Sequence, residues 1–402
     1  MDRIIRVALL STLLGVAFGY SAQGQVLRTE SDIVDAIRSH DLLVSASRAQ
    51  AAADAERPGQ IRRPWPMAEV MFMPSMIAEG SAGVGVMISQ AIPLSGGLRA
   101  ERAVRTAAAA ASEYESVVVT RDRVRQGREA FAELWGINER RARIDSFLTS
   151  LEIYRESALT QIQTGRGSQQ SVLMLHVEAE RLEQQLAAID EEVSELQAII
   201  AVLTGGTIRI SPGDRLAEPS LAVTPAPQGT ADHPAFLAAD AMREAADAEI
   251  RLNRTRLRPE LSVGAAIYPA GAGPDMTEYV VPSIGISLPL WTGGVRAQIQ
   301  EAELRERQRR LEAEHVQLSL STELADLLIQ IERVQERTDR YESHLLPLAH
   351  QSLENALLGY RTGSRMLIEL LDAQRMALDL EQDLIDARVR AAVLVARIDY
   401  LR

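Results

Sequence analysis

The residue types most able to do chemistry are gathered in one run, Tyr360-Arg361-Thr362-Gly363-Ser364-Arg365-Met366-Leu367-Ile368-Glu369-Leu370-Leu371-Asp372-Ala373-Gln374. Glycine adopts the left-handed conformation without steric cost, so Gly363 ends one helix and lets a second begin. Glu369 and Asp372 are three residues apart and share a face of that second helix. With Arg365 they place charges of both signs just past the turn, and one reading of these is a functional charged site. The plainer alternative is a surface salt-bridge cluster, Arg365 with Glu369 at i,i+4. A weaker copy of the turn, Ile162-Gln163-Thr164-Gly165, lies earlier and suggests two copies of one unit.

Enzymatic chemistry finds no comparable footing. His40, His176, His233, His315, His344 and His350 include no pair with the spacing of a zinc helix motif. No serine sits in a nucleophile elbow. Gly80, Gly83 and Gly85 do not match a dinucleotide fingerprint and fall in a hairpin rather than before a helix. The expectation is a protein that is not an enzyme and has no cofactor, catalytic site or metal site. Five of the 11 methionines lie between Met67 and Met87. Thioethers ligate Cu(I), but methionine is also a flexible apolar filler. A net charge of −12 argues against nucleic acid as a partner.

The elements that position the run follow from periodicity. Alanine, leucine, glutamate, glutamine and arginine dominate and aromatics are only 4%, a composition of long packed helices rather than of one wide core. Arg3, Arg6, the apolar run Val7 to Tyr20 and the small residues near Ala22-Gln23-Gly24 read as a signal peptide over 1–24. The chain has no cysteine, so neither disulfides nor a lipid-bearing cysteine are expected. From Ser31-Asp32 a helical pattern is expected to run to about Gln60, where Pro58, Pro64 and Pro66 break it. Between Met67 and Leu94 the period changes to 2 and predicts a β-hairpin, with Pro74 to Ser81 as its link. From Leu98 to Thr164 there is no proline, which predicts a helix of roughly 100 Å. Gly165 ends it and a helix from Ser168 to Leu203 follows.

Residues 25–203 thus form a first repeat, 204–230 a linker rich in glycine and proline, and 231–402 a second repeat. The second repeat has a helix from His233-Pro234 to Leu257, a hairpin over about 260–291, a long helix from Val295 to Arg361 and a last helix from Ser364. Pro347 is expected to kink or unwind the long helix. Four strands per chain cannot close a membrane barrel, but three chains supply 12. The alternative is a small soluble sheet packed on the helices.

These features resemble the TolC family of outer-membrane efflux ducts. The resemblance spans nearly the whole mature chain: the duplication, the two hairpins, their Pro93-Leu94-Ser95-Gly96-Gly97 and Pro289-Leu290-Trp291-Thr292-Gly293-Gly294 exits, and the turn Tyr360 to Arg365 followed by Leu370-Leu371-Asp372-Ala373. It implies a mainly α fold with a membrane β-barrel contribution, a homotrimer closing a 12-stranded barrel in outer-membrane lipid, and a long α-helical periplasmic tunnel. It also implies localisation in the cell outer membrane, with a periplasmic adaptor and an inner-membrane pump as partners for efflux of small molecules or metal ions. Arg63-Pro64-Trp65-Pro66-Met67 through Ser89-Gln90 resembles the heavy-metal branch. By the resemblance, Gly165 and Gly363 mark the periplasmic tip, and Tyr360, Arg365, Glu369 and Asp372 form a gate. Ser171 stands where the family often has an aspartate that partners the lock, and Arg166 is a further departure. The rival reading is an exported coiled-coil scaffold or adaptor.

Overall fold

A computed structural model describes residues 25–73, 83–93, 95–165, 167–209, 215–222, 230–270 and 277–402. The expected signal peptide, the hairpin link Pro74 to Ser81, Leu94, Arg166 and parts of the linker lie outside the described residues.

The elements run β1 (Gln25–Val26), α1 (Glu30–His40), α2 (Leu42–Ala55), a short 3-10 turn, β2 (Met67–Met73), β3 (Gly83–Ile92), α3 (Gly97–Gln163) and α4 (Gln169–Leu203). There follow β4 (Ile208–Arg209), α5 (Pro234–Thr255), β5 (Glu260–Ala270), β6 (Thr277–Ser287), α6 (Gly293–Arg340), α7 (Leu346–Thr362) and α8 (Leu367–Leu401). The order helix, hairpin, long helix, helix therefore occurs twice. No helix among the described residues is long and apolar enough to cross a membrane.

The first helix and the hairpin ends differ from the sequence expectation, whereas the unwinding expected at Pro347 is present. The first helix is two helices, divided at Asp41, whose backbone is extended (φ −65°, ψ 123°). The Asp41 carboxylate is buried and accepts from Arg123 Nε at 2.7 Å, which draws the chain out of the helix. The hairpins end at Ile92 and Ser287, short of 94 and 291, because Pro93 and Pro289 have no N–H for the ladder. Around Pro347 the long helix loosens into a π-helical turn, Tyr341–Leu345. Residue 343, whose carbonyl the proline ring would strike in a regular helix, lies inside that turn.

The chain divides into two compact units. The first takes the described parts of 1–42, 123–223 and 330–397. Its core comes from Phe131, Leu134, Ile144 and Phe147 of α3, Leu175, Leu182 and Ile200 of α4, and Leu370, Leu371 and Leu394 of α8. Two glycines inside α3 let other helices approach closely. A Cβ on Gly127 would sit 2.3 Å from Ile37 of α1, and one on Gly136 would sit 2.3 Å from Val389 of α8. The entry to α1 is fixed by Asp32, whose carboxylate accepts from the backbone N–H of Thr29 (2.8 Å) and Arg28 (3.0 Å).

The second unit takes the described parts of 43–122, 224–329 and 398–402. It holds a four-stranded antiparallel sheet of order β2-β3-β5-β6, in which β3 pairs with β5 to join the two hairpins. His233 caps α5: its Nδ1 accepts from the Ala235 N–H at 3.1 Å, which leaves Nε2 as the protonated nitrogen, donating to the Tyr400 carbonyl at 3.0 Å. Burial pushes the His233 imidazole below its usual value of 6.5.

Candidate functional site

The register of the sheet sorts its side chains into two unlike faces. On one face Val70, Val86, Ile267 and Val280 stand in a row. The next rows hold Ala68, Ile88, Ala265 and Pro282, then Gln90, Val263 and Ile284, then Ile92, Leu261 and Ile286. Gln90 is the polar member, and its amide donates to the Pro64 carbonyl at 2.6 Å. This face is open: Val70, Ile88, Ile284 and Ile286 are all exposed, Ile284 at 77%. Each such side chain forgoes about 1.5–3 kcal/mol relative to full burial. A contiguous apolar patch of this kind marks a contact with lipid or another chain.

The opposite face carries Met67, Glu69, Met71, Met87, Ser89, Ser262, Gly264, Ser283 and Gly285. Its glycines are required by crowding. A Cβ on Gly264 would lie 2.8 Å from the Ile88 carbonyl oxygen, and one on Gly285 would lie 2.6 Å from Ser262 Oγ. The outer edges of β2 and β6 pair with no strand among the described residues, which leaves rows of main-chain N–H and C=O groups open.

The turn at Gly363 is built as its residues demand. Gly363 has φ 75° in the left-handed region. The Gly359 carbonyl accepts from the N–H of Ser364 (2.9 Å) and of Arg365 (3.1 Å), closing the end of α7. Gly359 also makes room for the Arg365 stem, since a Cβ there would lie 2.7 Å from Arg365 Cγ and Cδ. Arg365 Nη1 donates to Glu369 at 3.2 Å, an exposed i,i+4 pair. Asp372 accepts from Arg375 at 3.4 Å. Tyr360 is buried, its hydroxyl has no hydrogen-bond partner among the described residues, and burial raises its pKa. Neither Tyr360 nor Arg365 makes a hydrogen bond to α3 or α4 among the described residues.

A polar anchor that the sequence did not single out lies beside this turn. Glu178 of α4 is 2% exposed and takes a bidentate pair from Arg375 of α8, at 3.1 Å to Nε and 2.5 Å to Nη2. Arg181 approaches the same carboxylate at 3.5 Å. The hydrogen bonds that Arg375 donates to Glu178 raise the pKa of its guanidinium. Tyr154 of α3 adds a second tie to α8, its hydroxyl 3.2 Å from Gln374 Oε1. The signal for Glu178 was present: with Leu175 and Leu182 it occupies a buried seam at spacings of three and four, where an acid needs a partner.

The turn at Gly165 is simpler. Gly165 has φ 77°. The Ser168 side chain caps α4 by accepting from the Ser171 N–H at 3.3 Å. Ser171 thus serves in the first turn of α4 and supplies no carboxylate to a lock.

Residues 228–399 match the family model of outer membrane efflux proteins. Among solved structures, CusC, described in terms of folding and transmembrane channel formation, aligns with TM-score 0.78 at 16% identity, covering 92% of this chain and 91% of CusC. The outer membrane protein VceC of Vibrio cholerae aligns with TM-score 0.74 at 20% identity, covering 92% of this chain and 95% of VceC. The CmeC outer membrane channel of Campylobacter jejuni aligns with TM-score 0.74 at 13% identity, covering 92% and 85%. No curated protein matches the sequence. The chain shares the fold of these channels across nearly all of its described length.

Proposed function

We propose, from the match of residues 228–399 to the family model of outer membrane efflux proteins, that three copies assemble into a passive exit duct of the outer membrane. The observation that carries the proposal is the sheet: four strands with a largely apolar face and two edges that pair with no strand among the described residues. In lipid each unsatisfied main-chain group costs several kcal/mol, so the edges of β2 and β6 require partners. Three chains supply 12 strands, within the range of closed membrane barrels. The apolar face then meets lipid and the face with Glu69, Ser89 and Ser283 meets the lumen.

The helical part serves as the periplasmic tunnel, fed by an adaptor and an inner-membrane pump that supply the energy and select the cargo. The turns at Gly165 and Gly363 form its tip, and Tyr360, Arg365, Glu369 and Asp372 form the gate. In this conformation the Tyr360 hydroxyl has no partner among the described residues and Arg365 pairs locally with Glu369, so the bonds of such a lock between helices are unmade. Planar-bilayer recording tests both parts. The wild-type trimer is expected to conduct, and the double variant Tyr360→Phe with Arg365→Ala to conduct more. An assembled trimer with unchanged conductance in that variant would remove the two residues from the gate.

A further inference from the structure

One end of the sheet is bordered by cations that the channel reading does not use. The register brings Met67, Ile92, Glu260 and Ser287 to that end, since Met67 pairs with Ser89, Ile92 with Leu261, and Glu260 with Ser287. Arg62, Arg63 and Trp65 lead directly into β2, Arg99 follows β3 at the start of α3, and Trp291 and Arg296 follow β6. All six are exposed, Trp65 at 80% and Trp291 at 88%. The Gln90 bond to the Pro64 carbonyl holds the Arg63 to Trp65 stretch against β3.

Neighbouring arginines are already engaged. Arg254 donates to Glu303 (3.0 Å), Arg256 to Gln298 (2.8 Å), Arg258 to the Ser95 carbonyl (3.0 Å) and Arg102 to the Ile61 carbonyl (3.3 Å). Arg62, Arg63, Arg99 and Arg296 have no carboxylate partner among the described residues. Glu69 and Glu260 lie on the opposite face of the sheet from Ile88 and Ile286. Leu288 and Leu290, which follow β6, are exposed as well, so apolar side chains continue beyond the sheet toward these cations.

We infer that Arg62, Arg63, Arg99 and Arg296, with Trp65 and Trp291, form a collar that binds the phosphate headgroups of anionic phospholipid where the sheet meets the helices. The inference rests on the membrane reading of the sheet. Guanidinium binds phosphate with two parallel hydrogen bonds. Tryptophan settles at the headgroup level, with its ring in the apolar layer and its N–H in the wet one. An apolar face ending at unpaired guanidinium groups offers both parts of one ligand, acyl chain and anionic head.

The test is lipid retention by the full chain reconstituted in phosphatidylcholine nanodiscs and titrated with phosphatidylglycerol, with bound lipid counted by native mass spectrometry. Wild type is expected to retain phosphatidylglycerol over phosphatidylcholine. The variant R62Q/R63Q/R99Q/R296Q is expected to lose that preference by at least about tenfold, since each cation near an anionic surface is worth roughly fivefold. A control of equal type on exposed α6 arginines, R307Q/R333Q, is expected to stay near wild type. Equal retention of both lipids by wild type, or equal loss in both variants, would overturn the inference and leave the duct reading standing. Failure of wild type to enter the phosphatidylcholine disc at all would overturn both.

Discussion

Replacing Arg375 should loosen the first turns of α4 and α8 far more than replacing Glu178, although the two belong to one ion pair. Glu178 is 2% exposed and Arg375 side chain 35% exposed. In Arg375→Ala the buried carboxylate keeps only Arg181, at 3.5 Å. Stranding one member of a buried pair costs about 3–5 kcal/mol, and the remaining arginine argues for the lower end of that range. In Glu178→Ala the guanidinium left behind is partly solvated and retains Asp372 at 3.4 Å. That loss should be about 1–2 kcal/mol, mainly lost hydrogen bonding. The pair replacement Glu178→Leu with Arg375→Met completes the Leu175–Leu182 seam and should be neutral or stabilising. The assay is amide hydrogen exchange over 169–182 and 367–378 in the purified full chain, because global unfolding of two units need not be two-state. About 3 kcal/mol corresponds to exchange faster by roughly two orders of magnitude in Arg375→Ala. Equal, small effects of the two single variants, or collapse of the Leu/Met pair, would show that Arg375 does not hold a buried carboxylate in place.

Three further outcomes follow from the sheet and the α5 cap. Ile284→Arg on the apolar face should cost about 2–4 kcal/mol near the bilayer midplane and lower the membrane-inserted fraction, whereas Val281→Arg on the other face should not. Gly264→Ala should split the β3–β5 junction, because its Cβ meets a backbone oxygen, and should reduce the strand signal in circular dichroism; Gly293→Ala, with open space around it, should leave that signal intact. His233 titrates below 6.5 when folded, so protons favour the unfolded chain. The stability it confers is full above its unfolded pKa of 6.5 and falls as pH drops through 6.5 toward the folded value. Thermal midpoints measured on either side of that value should differ less in His233→Asn than in wild type.

Much of this architecture was legible because its signals are local. The strands Met67–Met73, Gly83–Ile92, Glu260–Ala270 and Thr277–Ser287 alternate at period 2, and α3 contains no proline in 67 residues. Gly363 announced its turn by the conformation only glycine adopts freely. The break at Asp41 was not legible, since no proline or glycine stands there and its cause is Arg123, 82 positions away. Gly127 and Gly136 give no local signal of their role, because the side chains that need the space, Ile37 and Val389, are distant in sequence. Glu178 was hidden for a related reason. Its spacing marked a buried seam, but the arginine that makes an acid tolerable there comes from α8, 197 positions on.

A closed barrel of three chains requires β2 of one chain to pair with β6 of the next. Within one chain these strands are separated by β3 and β5, so their Cα atoms are about 14 Å apart, beyond the reach of a disulfide. The chain contains no cysteine, so cysteines introduced on one face, at Met67, Glu69 or Met71 of β2 and at Val281, Ser283 or Gly285 of β6, can cross-link only between chains. Oxidation in isolated outer membranes should give a ladder that stops at three chains for at least one pair. Monomer for every pair, or a ladder running beyond three, would contradict a closed barrel of three chains.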